Sequence, residues 1–339
     1  MIDLPALAYV NGRLATDLID LTSDPSALDS DGFWVVVMAY EGELTAARFG
    51  HVRETPMSGI RLRRPWRGPA APDWLSSIDE GTYVAAVEKI RDYIAGGEVY
   101  QANLCRVMTA PLPDPDRVDV VGLAQLLAAG NPAPYPAVVR LPSADVHVVS
   151  ASPELFLSRD GRTVASRPIK GTGRTERDLL PKDYAENVMI VDLVRNDLGR
   201  VAETGSVEVP QLCAVEEHPG LVHLVSTVTA RLRPDASWPE LLAATFPPGS
   251  VTGAPKSSAL RIIEELEPVE RGPYCGTIGW VDADRQRAEL AVGIRTFWIA
   301  DGRLRFGTGA GITWGSDPAG EWAETELKAA RLVALASAH

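Results

Sequence analysis

The stretch VHVVSASPELFLSRDGRTVASRP (146–168) decides how this chain folds. Residues 146–150 and 155–158 have the length and β-branched or apolar character of strands, and Asp160-Gly161 between Arg159 and Arg162 reads as a hairpin turn. Outward from this hairpin, strand character recurs at 33–40 (FWVVVMAY), 99–109, 207, 221–230, 276–281, 290–299 and 304–306. Helical periodicity marks 81–95, through Tyr83, Val84, Val87, Ile90, Tyr93 and Ile94, with Gly96-Gly97 as its stop. Two more helices are expected at 183–198 and 319–336. Strands outnumber helices and occur as hairpins, which predicts a mixed antiparallel α+β architecture in place of a doubly wound parallel sheet. A strand-rich region at 1–75, closed by a Pro-rich linker at 65–72, precedes the main unit at 76–339.

Bulk properties narrow the function. The 339 residues are 45% hydrophobic, enough for a large core, and the net charge of −12 argues against nucleic-acid binding. An anionic substrate would need local cations or a metal. Cys105, Cys213 and Cys275 lack metal-type spacing and fit free thiols in a reducing compartment. The first residues, MIDLP, carry no basic region before an apolar stretch, and no run has the length of a membrane span; a cytoplasmic protein is expected.

Beside the hairpin stands SRPIKGTG (166–173), which sets Lys170 between an apolar stretch and a glycine turn. A lysine there is either a surface residue or, if burial or a nearby cation lowers its pKa, a nucleophile. Glu154 is either an exposed strand-start residue or a partly buried acid beside that amine. His223 interrupts the apolar run 221–227, as a hydrogen-bonded core histidine or a polar residue facing a cavity. Asp183 with Glu186, and Glu321 with Glu324, are spaced to share helix faces. Such faces are either solvated or bridged by a cation, for which Mg²⁺ suits hard carboxylate oxygens. The run PPGSVTGAPK (247–256) lacks phosphate-loop spacing, so a nucleotide site is rejected. That run and the glycine-rich GTGAGIT (307–313) read as turns that could offer amides to a carboxylate, while Arg295, expected within a strand, could clamp one or serve as a structural ion-pair partner.

Read in order, GEVYQANL (97–104), SPELF (152–156), PIKGT (168–172), DYAENVMIVDLVRNDLGRV (183–201), HPGLVHLVST (218–227), PGSVTGAPK (248–256), GAGI (309–312) and SDPAGEWAET (316–325) resemble the chorismate-utilising enzymes over about 78–335. The resemblance implies a single domain in which two large antiparallel sheets stack face to face with helices outside. Isochorismate and salicylate synthases have a lysine base where this chain has Gln101, and anthranilate synthases usually have a small residue in place of Lys170. The chain is therefore most similar to the aminodeoxychorismate synthase component I group, which aminates chorismate to 4-amino-4-deoxychorismate on the route to para-aminobenzoate and folate. It departs from the family pattern in a short segment between Thr172 and Asp183 and at Trp314 and Gly315.

The resemblance further implies Lys170 as nucleophile, Glu154 as acid and His223 near the leaving group. Glu186 and Glu324 would bind Mg²⁺ directly, supported by Asp183 and Glu321. The Gly171 and Thr172 backbone would hold the ring carboxylate, and Tyr274, Arg295 and the Gly309 amide the enolpyruvyl carboxylate. Ammonia would come from a glutamine amidotransferase subunit; no nucleic-acid or membrane partner is implied. An anthranilate synthase component I, another aminating chorismate enzyme and a non-catalytic chorismate-binding regulatory subunit are the alternatives.

Overall fold

The computed structural model describes residues 4–173, 175–218 and 221–337. Arg174, Pro219 and Gly220, the last two within HPGLVHLVST, and the side chains of Thr172 and His218 lie outside the described residues.

The hairpin expected at Asp160-Gly161 is present: strands Leu155–Asp160 and Thr163–Arg167 pair antiparallel, with Gly161 at φ 59° in the turn. From it the ladder extends both ways. On one side it passes through Arg287–Val292, Thr277–Asp282, Phe33–Met38 and Leu44–Glu54 to Arg13–Thr22. On the other, Thr163–Arg167 and Ile169–Gly173 both pair with Leu221–Arg231, which pairs with Glu208–His218. A second run orders Leu7–Val10, Tyr135–Leu141, Val146–Ser152, Thr296–Ala300, Arg303–Ile312 and Gln101–Pro111. The hairpin from Leu7–Val10 to Arg13–Thr22 joins the two runs, and every pairing is antiparallel.

Side-chain alternation explains why the two runs stack. Val139 pairs with Val148 and both enter the core shared with Val35, Val37, Ile278 and Leu290 of the other run. Val138 and Val149, one position along, face outward with Phe297 and Phe306. Helices α1 (Glu80–Ala95), α2 (Val120–Gly130), α3 (Pro181–Gly199), α4 (Trp238–Thr245), α5 (Lys256–Leu266) and α6 (Pro318–Ala336) cover the sheets. The outer face carrying Val138 and Phe306 is closed by α2 and α6, and α1 and α5 cover Ala102, Leu104, Ala310 and Ile312. Ile190, Val191 and Val194 of α3 pack with Val228, Ala230 and the Trp238 and Leu241 of α4.

Some sequence expectations change. The strand expected at 290–299 is broken into Arg287–Val292 and Thr296–Ala300, where Arg295 takes φ 52° and a Cβ on Gly293 would lie 2.1 Å from Pro273 O. The glycine-rich GTGAGI is strand, not turn. Gly307, Gly309 and Gly311 alternate along one face, where an added Cβ would lie 2.0 Å from the Tyr274 ring, 2.5 Å from Cys105 Sγ and 2.2 Å from Gln101 Nε2, respectively. Those glycines admit close neighbours. Helices α2, α4 and α5 lie outside the three expected helical stretches. The Pro-rich stretch 65–72 packs on the core: Trp66 is buried and its Nε1 donates to Ala336 O at 2.9 Å.

Candidate active site

Strand Ile169–Gly173 pairs Ile169 with Val225 and Thr172 with His223, and the register shifts between them. The extra residue is a bulge, with Gly171 at φ 80° and its absent Cβ 2.8 Å from Asp183 Cβ. Such a bulge re-aims side chains, and Lys170 Nζ reaches across to donate to Ser250 O at 3.1 Å. Burial lowers the Lys170 ammonium pKa, while the Glu186 and Glu154 carboxylates oppose the shift. Glu154, only 4% exposed, follows Pro153 where the chain passes from Val146–Ser152 into Leu155–Asp160. Burial pushes its pKa up to about 7, against the Ser250 side chain, the Lys170 ammonium and the Ile169 backbone. An acid near neutrality thus stands beside a lysine made easier to deprotonate. His223 is buried, directly across from Thr172 on one side and Glu216 on the other.

Gln101 opens strand Gln101–Pro111 and is fully buried. Its Nε2 and Oε1, and Asn103 Oδ1, have no hydrogen-bond partner among the described residues. One point unites them: a Cβ on Gly311 would sit 2.2 Å from Gln101 Nε2, 3.1 Å from Asn103 Oδ1 and 3.3 Å from Lys170 Nζ. Buried amides left unpaired around a gap that only glycine leaves open have the character of a ligand cradle.

The neighbouring edge offers backbone groups. Cys105 N donates to Glu267 Oε1 at 2.8 Å, away from the facing strand, so Cys105 and Gly309 form a non-hydrogen-bonded pair. The Gly309 N–H and C=O therefore point off the ladder, on the side where Thr296–Ala300 pairs no further than Phe306. Lys328 Nζ donates to Gly309 O at 3.0 Å. Arg295 immediately precedes that strand. Burial lowers its pKa, and among the described residues its guanidinium has no ion pair or hydrogen bond. Its charge is free for an anion. Tyr274 is buried with its hydroxyl 3.8 Å from Cys105 Sγ, and burial holds its phenol well above the usual range.

The four acidic residues lie on α3 and α6 as the spacing predicts. The Asp183 carboxylate accepts from Leu180 N at 2.8 Å, and Glu324 pairs with Lys328 at 2.6 Å. Burial raises Glu186, with Asp183 and Glu321 adding to the rise; burial raises Glu321, with Glu324 adding. For Glu324 burial acts upward most strongly of any single influence, but Lys328, Lys182 and Lys170 together outweigh it and the net shift is downward. The acids of the two helices therefore sense one another. Among the described residues, no three or more His, Cys, Asp or Glu side chains are arranged to hold a metal as they stand. The donor chemistry nonetheless fits Mg²⁺, being carboxylate oxygens from two helices with incompletely offset repulsion.

Lys170, Glu154, Gln101 and Gly171 thus converge with Ser250 and Asn103, which sequence reasoning did not single out although both lie inside quoted strings. Tyr274 stands apart, one alternate strand position from Gly309.

A family profile described as chorismate binding enzyme matches residues 49–334. Anthranilate synthase component 1 of Streptomyces coelicolor is 41% identical over 291 residues, covering 81% of this chain and 56% of the relative. Aminodeoxychorismate synthase component 1 of Klebsiella aerogenes is 41% identical over 272 residues, covering 77% and 59%. The chain spans little more than half the length of these relatives. In fold it is similar to anthranilate synthase component I of Streptococcus pneumoniae, with TM-score 0.78, 24% identity and coverage of 98% and 93%. Against MenF, the menaquinone-specific isochorismate synthase of Escherichia coli, the TM-score is 0.80 at 19% identity, covering 98% and 89%. Among the described residues, no helix is long and apolar enough to cross a membrane.

Proposed function

Since the chain belongs to the chorismate binding enzyme family, we propose that it aminates chorismate at C4, as component I of an aminodeoxychorismate synthase. The observation that carries this reading is Lys170, half-buried in a bulge with its ammonium desolvated and in electrostatic contact with a carboxyl whose pKa is about 7.

Lys170 as free amine attacks ring C2; the two ring double bonds shift and the C4 hydroxyl leaves as water, protonated by Glu154. Ammonia then attacks C4, the double bonds return, and the lysine amine is expelled from C2. The enolpyruvyl ether is retained. His223, across from Thr172, stands near the departing hydroxyl. Gln101 is a neutral amide and cannot take a proton from water, which disfavours hydroxylation. Arg295 and the Gly309 amide receive the enolpyruvyl carboxylate, with Tyr274 behind them, while the Gly171 and Thr172 backbone faces the ring carboxylate. Glu186 and Glu324, backed by Asp183 and Glu321, would hold a Mg²⁺ ion, which supplies positive charge to the ring carboxylate. Ammonia comes from a glutamine amidotransferase partner, and the protein works in the cytoplasm.

A second reading, anthranilate synthase component I, is favoured by equal identity to a relative of that name. Incubation with chorismate, ammonium and Mg²⁺, with products identified by mass and co-elution, separates the two. 4-Amino-4-deoxychorismate is expected; anthranilate with pyruvate would replace the first reading by the second, and isochorismate would overturn both.

A further inference from the structure

The loop at residues 246–255, between α4 and α5, carries the carbonyl on which Lys170 rests. Ser250 O accepts from Lys170 Nζ at 3.1 Å and from Asn103 Nδ2 at 3.0 Å, and the Ser250 side chain bonds to Glu154. What holds this loop is therefore part of what sets the nucleophile and acid.

Packing does not hold it everywhere. A small cavity lies against Gly249 and Ser250, and Glu154, Asp197 and Thr245 line the same space. Contacts that close packing would supply are missing there, so position depends on directional bonds. At the foot of the loop, Lys256 Nζ donates to Asp197 Oδ2 at 2.6 Å and to Thr245 O at 3.0 Å. Thr245 ends α4, Lys256 begins α5 and Asp197 lies on α3. One ammonium thus ties both ends of the loop to each other and to a third helix. Its ion pair is largely buried, with side chains 17% and 8% exposed. Past Ser250, Arg271 Nη1 donates to Val251 O at 2.8 Å, and the loop's far limb bonds the active-site strand through Asn103 N to Thr252 O and Tyr100 N to Ala254 O, both 2.7 Å.

We propose that Lys256 and Asp197 are positioning residues: their ion pair closes the base of the loop and thereby aims Ser250 at Lys170 and Glu154. The catalytic part of this inference rests on the amination reading above. Neither residue touches the substrate. Without the ammonium, the 246–250 limb is free to tilt about the Val251 anchor into the cavity, and a displacement near 1 Å costs about 100-fold in rate.

The test uses Lys256→Met and the double variant Lys256→Met/Asp197→Leu. The single variant leaves a buried carboxylate unpaired and loses stability; the double variant removes that charge and regains it. Both should lose about 100-fold in kcat with a KM for chorismate within about threefold of wild type. In both, hydrogen exchange at the Val251 and Thr252 amides, which donate to Pro248 O and Gly249 O of the tilting limb at 3.2 and 3.3 Å, should quicken at least about tenfold, while the α3 core stays protected in the double variant. If the double variant recovers kcat with its stability, or the two amides exchange as in wild type, the pair is merely structural and the proposal falls. The exchange readout needs no turnover, so a wild type inert toward chorismate and ammonium would sink the amination reading while the pin is still judged.

Discussion

Gly311→Ala is the sharpest probe of the cradle. The added Cβ would stand 2.2 Å from Gln101 Nε2 and 3.1 Å from Asn103 Oδ1, where ordinary contact begins at 3.4 Å. Gln101 must therefore withdraw by more than about 1 Å, and a misplacement of that size costs about 100-fold in rate. The backbone itself tolerates the change, since Gly311 lies within strand Arg303–Ile312 and is not among the positive-φ residues. Replacing a strand glycine gains up to about 1 kcal/mol, and crowding a buried amide costs about 1–3 kcal/mol. The two oppose, so unfolding by denaturant should shift by less than about 3 kcal/mol. Steady-state formation of aminated product is the assay, with Gly199→Ala as control, because nothing lies within 4 Å of a Cβ there. A Gly311→Ala enzyme working within about threefold of wild type would refute the convergence of Gln101, Asn103 and Lys170 on substrate.

Four other outcomes are expected. Arg295→Met should raise the KM for chorismate by about 10- to 100-fold, the worth of a charged hydrogen bond, with little change in unfolding because Arg295 has no hydrogen bond or ion pair among the described residues; an unchanged KM would remove it from the site. Glu154 has a folded pKa of about 7 against an ordinary 4.5, so its stabilising contribution is full below pH 4.5 and is lost as pH rises through 7. The stability of wild type relative to Glu154→Gln should accordingly fall by about 3 kcal/mol across that window, measured by chemical denaturation, and kcat should decline above pH 7 as the acid ionises. Magnesium at 100 times its dissociation constant should stabilise the protein by about 2.7 kcal/mol in thermal unfolding, and Glu186→Gln/Glu324→Gln should abolish the effect. Glu321→Gln should stabilise the metal-free protein, because burial and Glu324 disfavour its charge.

Much of this was legible in the chain because it is local. Asp160-Gly161 dictates its hairpin, and the helical spacing of Asp183 with Glu186 and Glu321 with Glu324 survives folding. What escaped depends on partners far along the chain. Gly307, Gly309 and Gly311 read as a turn by composition, yet their period of two is that of a strand whose face is filled by Tyr274, Cys105 and Gln101. Arg295 reads as a strand residue among apolar neighbours, and no neighbouring residue announces its positive φ. Helix α2 is apolar on nearly all sides, so no polar stripe betrayed its period. The unpaired amide of Gln101 and the unpaired Asn103 Oδ1 become visible only when the strands around them are closed.

The central claim is that Lys170 bonds covalently to the ring. Rapid quenching of the protein with chorismate and Mg²⁺, ammonia withheld, followed by intact-mass analysis and peptide mapping, tests it directly. The account predicts an adduct of chorismate less one water on Lys170, absent from Lys170→Ala, and its loss when ammonium is added with 4-amino-4-deoxychorismate appearing. Turnover to an aminated product with no adduct, at a rate that Lys170→Ala retains, would contradict it.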